Sequence, residues 1–322
     1  MICATRAWAP VNLALVKYWG KRDSILNLPA TSSLSATMNS LGSIAEVSRS
    51  NKDTVDVQGD PARALRVIEA ARSLSGNREA MRVQVSNTVP TAVGLASSAS
   101  SMAALTMALA TALGFAKLRN QVERIARLGS GSAVRSLHGG YVRWDAGLDP
   151  EGSDCLASPV FSSSHLPLAI RVAVISRARK SVPSGEAMER CRTTSPEYPG
   201  FLRDNPAAMA LALSALEARD VVALGQVAED QSMRLHSVLA TADPPIDLLL
   251  PTSHAVIQAV RRLREDGVPC FFTMDAGSSV IVFTDEAFAT AVEGVLARIP
   301  GVLQVLSDQV GETGATVIGG NT

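Results

Sequence analysis

The segment SSASSMAALTMALATAL, Ser97 to Leu113, carries no charged residue, reads as helix, and is closed by Gly114. A helix that is apolar all the way round must be covered on most of its sides, so the rest of the chain has to wrap it. The richest apolar run, Met102 to Ala116, is too short and too rich in alanine to span a bilayer, so the expected cover is protein, not lipid. At 322 residues the chain is long enough for one large or two medium units with a substantial core.

The wrapping elements are of both kinds. SIAEVSRS and DTVDVQG alternate as strands do, and MRVQVSNTV does so more clearly. Between them, Pro61 to Leu74 places Ala64, Leu65, Ile68 and Ala71 at helical spacing, with Arg63, Arg66 and Arg72 along the way. LAIRVAVIS (168–176) reads as a strand, and a Pro/Gly/Ser/Thr-rich zone from Ser181 to Gly200 follows it. That zone sets the expected division near residue 176, into units 1–176 and 177–322. The second unit opens with helices 206–220 and 222–239. A helix (253–265), strand (270–274), turn (275–277), strand (280–284), helix (286–298) and strand (302–306) follow. That order is most of a split βαβ, ferredoxin-like unit, so the expected class is α+β in two parts.

Lys+Arg and Asp+Glu both number 30, which gives no bulk electrostatic case for nucleic acid or an anionic membrane; any anion site must be local. Cys3, Cys155, Cys191 and Cys270 are scattered with no CxxC pair, as in a protein of the reducing cytoplasm. The N-terminal stretch MICATRAWAPVN has Arg6 and Pro10 where a signal peptide would be apolar. His138, His165, His236 and His254 show no metal-ligand spacing, and no Gly-x-Ser-x-Gly elbow is present.

Three small-residue loops point to anion recognition. PTAVGLASSASS places Gly94 and the serines Ser97, Ser98, Ser100 and Ser101 at the entrance of the buried helix. Free amides and the helix dipole favour phosphate there, although a plain N-cap packed with small residues has the same letters. No Gly-Lys-Ser/Thr follows, so this is not a Walker A loop. GSGSAVRSLHGG sets Ser130, Gly131 and Ser132 as a short nest with Arg135 one turn further on, where a guanidinium fork suits a carboxylate or phosphate. A surface arginine in a helix cap is the alternative. In FFTMDAGSSVIVF, Asp275 sits at a tight turn between two apolar strands, either as a turn-former or as an acid on a rigid scaffold. Near the start, Lys17 and Lys21 bracket a Tyr-Trp-Gly turn.

APVNLALVKYWGKRDSILNLPATSSLS, PTAVGLASSASSMAAL, GSGSAVRSLHGGYVRW, LHSVLATADPPI and MDAGSSV together resemble the diphosphomevalonate decarboxylases of the GHMP kinase superfamily, in order and approximate spacing. The resemblance implies an N-terminal domain like ribosomal protein S5 domain 2, a ferredoxin-like C-terminal domain and an active site in the cleft between them. It implies a reaction in which ATP phosphorylates the 3-hydroxyl of 5-diphosphomevalonate. Phosphate and CO2 then leave to give isopentenyl diphosphate. It implies Asp275 and Lys17 as the catalytic pair, and Tyr18, Lys21, Arg63, Ser130, Gly131, Ser132, Arg135 and Ser184 as substrate-binding residues. Gly94, Leu95, Ala96, Ser97, Ser98 and Ser100 would wrap the ATP phosphates, with Ser98 as a ligand of Mg2+. A cytoplasmic homodimer goes with it.

The chain also departs from the family. The family's Asp-Ala-Gly-Pro-Asn reads Asp275-Ala276-Gly277-Ser278-Ser279 here, which frees φ and adds a donor next to the acid. Gly185 follows Ser184 where a longer polar residue is common. Three alternatives therefore stand beside the decarboxylase at this point. One is a decarboxylase of 5-phosphomevalonate, and another is a mevalonate 3-kinase without decarboxylation. The third is a nucleotide-binding sensor without turnover. Retention of both Lys17 and Asp275 argues for decarboxylation.

Overall fold

The computed structural model describes residues 4–88, 97–178 and 181–319. In chain order the strands and helices are β1 (Thr5–Val16), β2 (Lys21–Asp23), β3 (Leu28–Pro29), β4 (Ser33–Arg49), β5 (Thr54–Val57), α1 (Pro61–Ser75), β6 (Met81–Asn87), α2 (Ser97–Ala112), α3 (Arg119–Gly129), α4 (Ala133–Ser136), β7 (Tyr141–Trp144) and β8 (Ala157–Phe161). There follow β9 (Ala169–Val174), α5 (Ser184–Thr194), α6 (Tyr198–Glu217), α7 (Val221–Ala240), α8 (Pro251–Glu265), β10 (Cys270–Thr273), β11 (Val280–Thr284), α9 (Ala289–Ala297), β12 (Gln304–Gln309) and β13 (Thr316–Ile318).

The first sheet runs β13-β1-β4-β6-β5, with β7 and β8 continuing from the other end of β4. Its β5–β6 pairing is parallel and the rest is antiparallel. The second sheet is antiparallel in the order β10-β11-β9-β12, the strand order of a ferredoxin-like unit. The observed class is mixed α+β in two lobes, as the sequence pattern and the family resemblance imply.

Helix α2 is wrapped as its composition demands. Ala99, Ala103, Ala104, Leu105, Ala108, Leu109 and Ala110 are all fully buried, against β1 and β4 on one side and α1, α3 and α4 on others. Alanine on so many faces lets these elements approach closely. No helix among the described residues is long and apolar enough to cross a membrane.

Three expectations change. Strand β9 lies before the division expected at residue 176, yet it pairs with β11 and β12, so the second sheet begins at Ala169. The chain then returns, since β13 pairs with β1 in the first sheet. Within the Pro/Gly/Ser/Thr-rich zone 181–200, where no element was expected, α5 packs Ala187, Met188 and Cys191 into a cluster with Trp19, Tyr198 and Leu235. Helix α6 starts at Tyr198, not at Pro206; Pro199 takes a first-turn position, and Pro206 lies inside the helix, where its ring replaces the backbone donor.

Candidate active site

Lys17 leaves the end of β1 just past a register shift between Ala14 and Val16. A bulge turns a strand and re-aims the side chains beyond it. Here it sends Lys17 across to the second lobe, where Nζ lies 3.5 Å from Asp275 Oδ1. The same ammonium donates to the Ala14 carbonyl at 2.8 Å and to Thr273 Oγ1 at 2.7 Å. Lys17 is 1% exposed. Burial brings its pKa down to about 8, against the upward pull of Asp275 and with a smaller downward push from Arg135. Asp275 itself follows β10 in a tight turn closed by the Gly277 N–H donating to the Asp275 carbonyl at 2.7 Å. His236 on α7 donates Nε2–H to that same carbonyl at 3.2 Å, and burial lowers its pKa to about 4, so the ring is neutral near pH 7.

Arg135 reaches the cleft from the short helix α4. Its Nε donates to Asn12 Oδ1 at 3.0 Å and its Nη1 to Ser33 Oγ at 2.5 Å. Asn12 in turn donates to the Ser132 carbonyl at 3.1 Å and to Ser136 Oγ at 2.7 Å. The fork is thus set by β1 and β4, not by its own four-residue helix. Burial lowers the Arg135 pKa to about 10, with Asp275 and Tyr18 opposing, so it remains a cation at neutral pH. The nest before it is close-packed: a Cβ on Gly131 would sit 2.7 Å from Tyr18 Oη, and Tyr18 stands edge-on to Trp144 at 5.0 Å. Burial raises the pKa of the Tyr18 phenol, so it stays neutral.

These groups line one cleft. Lys17, Lys21, Arg63, Arg66 and Arg135 share it with Asp275, the one carboxylate lining it among the described residues, in a chain whose formal net charge is zero. Burial, then Arg63 and Arg66, lower the pKa of Lys21, as expected where like charges crowd. Ser130, Gly131, Ser132 and Ser184 line the same cleft, as does Ser98 from the first turn of α2. Ser98, Ser130 and Ser132 form a row of hydroxyls at 3.5 Å spacings. Trp19 is 3% exposed and packs on Tyr198 and Leu235 behind the lysines. Gly20, at φ +101, makes the sharp turn that Tyr198 Oη packs against.

The serine loop is only partly in place. Ser100 is fully buried, with its hydroxyl on Ser43 Oγ at 2.7 Å and on the Ser97 carbonyl, so it faces β4 and not the cleft as expected. Position 100 lies two residues from 98, more than half a turn round the helix, which carries its side chain away from that of Ser98 and toward the sheet. Ser97 opens α2, whereas Gly94, Leu95 and Ala96 lie outside the described residues.

Residues 9–157 match the diphosphomevalonate decarboxylase-like N-terminal domain, and residues 170–314 match the mevalonate 5-diphosphate decarboxylase C-terminal domain. A diphosphomevalonate decarboxylase from Aspergillus fumigatus is 35% identical over 321 residues, spanning 91% of this chain and 80% of that protein. The chain belongs to the diphosphomevalonate decarboxylase family. A family member from Bos taurus is 34% identical over 91% of this chain and 80% of its own. The mevalonate diphosphate decarboxylase structure from Staphylococcus aureus superposes with a TM-score of 0.92 at 32% identity, covering 99% of both chains. A solved complex designated MDDEF, with MVAPP, AMPPCP and magnesium, superposes with a TM-score of 0.90 at 31% identity, again over 99% of both chains.

Several residues that line the cleft or support its charged groups are not apparent from the sequence. Asn12, Ser33, Thr273 and Ser232 hold the charged groups from below, but Asn12 and Thr273 are single polar letters inside apolar runs, and Ser33 and Ser232 sit in polar stretches where one more serine signals nothing by itself. Arg66 carried a usable signal: it follows Arg63 by three positions on α1, so both fall on one face.

Proposed function

We infer that the chain catalyses the ATP-dependent decarboxylation of mevalonate 5-diphosphate to isopentenyl diphosphate, ADP, phosphate and CO2. The observation that carries this reading is the Lys17–Asp275 pair, 3.5 Å apart at the base of a cation-lined cleft, with Arg135 beside it. The substrate has a carboxylate at one end and a diphosphate at the other, and a neutral protein must gather its cations to bind it.

The Asp275 carboxylate takes the proton of the tertiary 3-hydroxyl as that oxygen bonds to the terminal phosphorus of ATP and the bond to ADP breaks. Lys17 fixes the carboxylate and offsets the transferring charge. Arg135 clamps the substrate carboxylate so that its C–C bond lines up with the C3–O bond. Phosphate leaves with the C3–O electrons. The C1–C2 electrons then form the C2=C3 double bond as CO2 departs. Lys21, with Arg63 and Arg66, receives the diphosphate, and Ser130, Gly131 and Ser132 hold the substrate from the side. The weak tertiary nucleophile makes positioning the main source of acceleration.

No cluster of three or more His, Cys, Asp or Glu side chains suited to a metal occurs among the described residues. The Ser98 hydroxyl, in the cleft lining at the start of α2, is the side chain that would hold Mg2+ together with the nucleotide. Such an ion would supply neutralisation of phosphate charge. Ser97 and Ser98 with the preceding Gly94–Ala96 loop would cradle the nucleotide phosphates. Cytoplasmic residence and a homodimer complete the reading, and sedimentation velocity tests the latter.

The deciding assay measures ADP and CO2 together with mevalonate, its 5-phosphate and its 5-diphosphate. Equal ADP and CO2 with the diphosphate alone is the expected result. CO2 from the 5-phosphate instead would reassign the substrate, ADP without CO2 would make the chain a 3-kinase, and neither product would leave it a nucleotide binder. Asp275→Asn is expected to lower kcat by about 10³-fold or more while ATP affinity stays within a few-fold.

A further inference from the structure

We propose that Thr273 is the positioning residue of the catalytic lysine, its hydroxyl serving as the acceptor that holds the Lys17 ammonium against Asp275. This rests on the decarboxylase reading above and adds to it a residue that touches neither substrate nor nucleotide.

Thr273 is the last residue of β10 and is 1% exposed. Its single hydroxyl proton goes to the Ala14 carbonyl at 2.8 Å, which leaves the oxygen turned as an acceptor toward Lys17 Nζ at 2.7 Å. Ser232 Oγ on α7 stands 3.1 Å from the same oxygen. Ser232 spends its own proton on the Ala228 carbonyl at 2.7 Å and accepts the Met274 N–H at 3.1 Å, so it is itself locked. One threonine hydroxyl therefore ties β1 of the first lobe to β10 of the second at the point where the cation sits, while Ser232 fixes α7 to Met274, the residue after Thr273.

The ammonium has three N–H bonds. Two are committed to Ala14 and Thr273, and the third is left for Asp275 and whatever oxygen lies beside it. Without the Thr273 acceptor the buried cation loses a charge-assisted hydrogen bond and its fixed direction. The other charged or titratable groups facing Lys17 are Asp275 after β10, Arg135 on α4 and His236 on α7. Of these, Asp275 alone favours the protonated amine, so the neutral acceptors on Thr273 and Ala14 are what else holds the ammonium.

The test compares Thr273→Val with Thr273→Ser. Valine keeps the shape and suits a strand, whereas serine keeps the acceptor. The chain has five lysines, so [ε-13C]lysine labelling gives a resolvable set of signals, and Lys17→Met assigns the one required. In Thr273→Val the Lys17 titration midpoint is expected to fall by about one pH unit. The kcat with mevalonate 5-diphosphate is expected to fall by about tenfold or more, with both KM values within about threefold. Thr273→Ser should keep the midpoint and most of kcat. A midpoint that does not move in the valine variant, a kcat within about twofold of the parent, or a serine variant as impaired as valine would each overturn the proposal. A parent enzyme that releases no CO2 would instead remove the decarboxylase reading, and the NMR arm would still decide the role of Thr273.

Discussion

The Lys17 ammonium has its neighbours fixed on three sides, and its charge is costly to keep there, because desolvation is the largest influence on it. This has a direct kinetic consequence. If the cation is the working form, free-enzyme activity must fall as that proton is lost, since kcat/KM reports ionisation of the unliganded enzyme. The alkaline limb of kcat/KM is expected near pH 8, well below that of an ordinary lysine, and a limb that stays flat to pH 10 would remove Lys17 from the mechanism. His236 titrates in the opposite regime. Its imidazole has a pKa of about 4 when folded against 6.5 when unfolded, so the unfolded chain binds that proton first. The contribution of the neutral ring is complete above pH 6.5 and is lost as pH falls from there toward 4, by about 3 kcal/mol in all. His236→Gln, whose amide can still donate to the Asp275 carbonyl, is expected to flatten this part of the urea-midpoint profile between pH 4 and 6.5. An unchanged profile would mean that other groups carry the acid sensitivity.

The contact of α7 with β10 joins the groups that hold the acid to those that hold the lysine, and one glycine sets its spacing. A Cβ on Gly225 would lie 2.6 Å from Phe271 Cβ and 2.8 Å from its Cγ, at the stiff base of a buried ring. Alanine gains about 1 kcal/mol of helix propensity there. Pushing the helix off the strand costs about 1–3 kcal/mol, and more where the neighbour cannot rotate away. Gly225→Ala is therefore expected to lower the unfolding midpoint, and to lower kcat too because Ser232 and His236 move with α7. A stability gain would show that the contact relaxes freely. How much of such an arrangement the sequence reveals depends on what each element must do alone. Helix α2, the β10–turn–β11 hairpin and the Lys-Tyr-Trp-Gly-Lys turn are legible because their patterns are locally sufficient: unbroken apolarity, alternation around a tight turn, and glycine where φ is positive. The 17-residue β4 is legible only in its second half. Its first half, SLSATMNS, includes serines such as Ser33 and Ser40 whose hydroxyls serve the tertiary partners Arg135 and Asp308. Gly225 and Thr273 were invisible, since each gains its role from a residue more than forty positions away.

At the scale of the whole molecule, the two lobes are joined twice, once on the way out and once on the way back. After β12 the chain leaves the second sheet and crosses onto the first. There the Gly311 N–H donates to the Thr37 carbonyl at 2.8 Å, the Gly140 N–H to the Gly311 carbonyl at 2.8 Å, and the Ala315 N–H to the Ser136 carbonyl at 3.1 Å. These bonds seat the returning strap against the turn that follows Arg135, so the tail braces the proposed carboxylate clamp from outside the cleft. The fit has no room for a side chain, because a Cβ on Gly139 would fall inside contact distance of the Glu312 carbonyl and one on Gly314 inside that of the Leu137 carbonyl. Neither backbone can swing aside as a side-chain tip would. Gly139→Ala is expected to cost about 2–4 kcal/mol of stability, read from the urea midpoint, with a raised KM for the carboxylate-bearing substrate as Arg135 loses its brace. Gly294→Ala in α9 provides the control, since its Cβ would meet nothing within 4 Å. There the same chemical change should gain up to about 1 kcal/mol from helix propensity and leave KM alone. Opposite signs at the two glycines would tie the effect to the strap; equal and small effects would mean that the tail yields and the clamp is held by Asn12 and Ser33 without it.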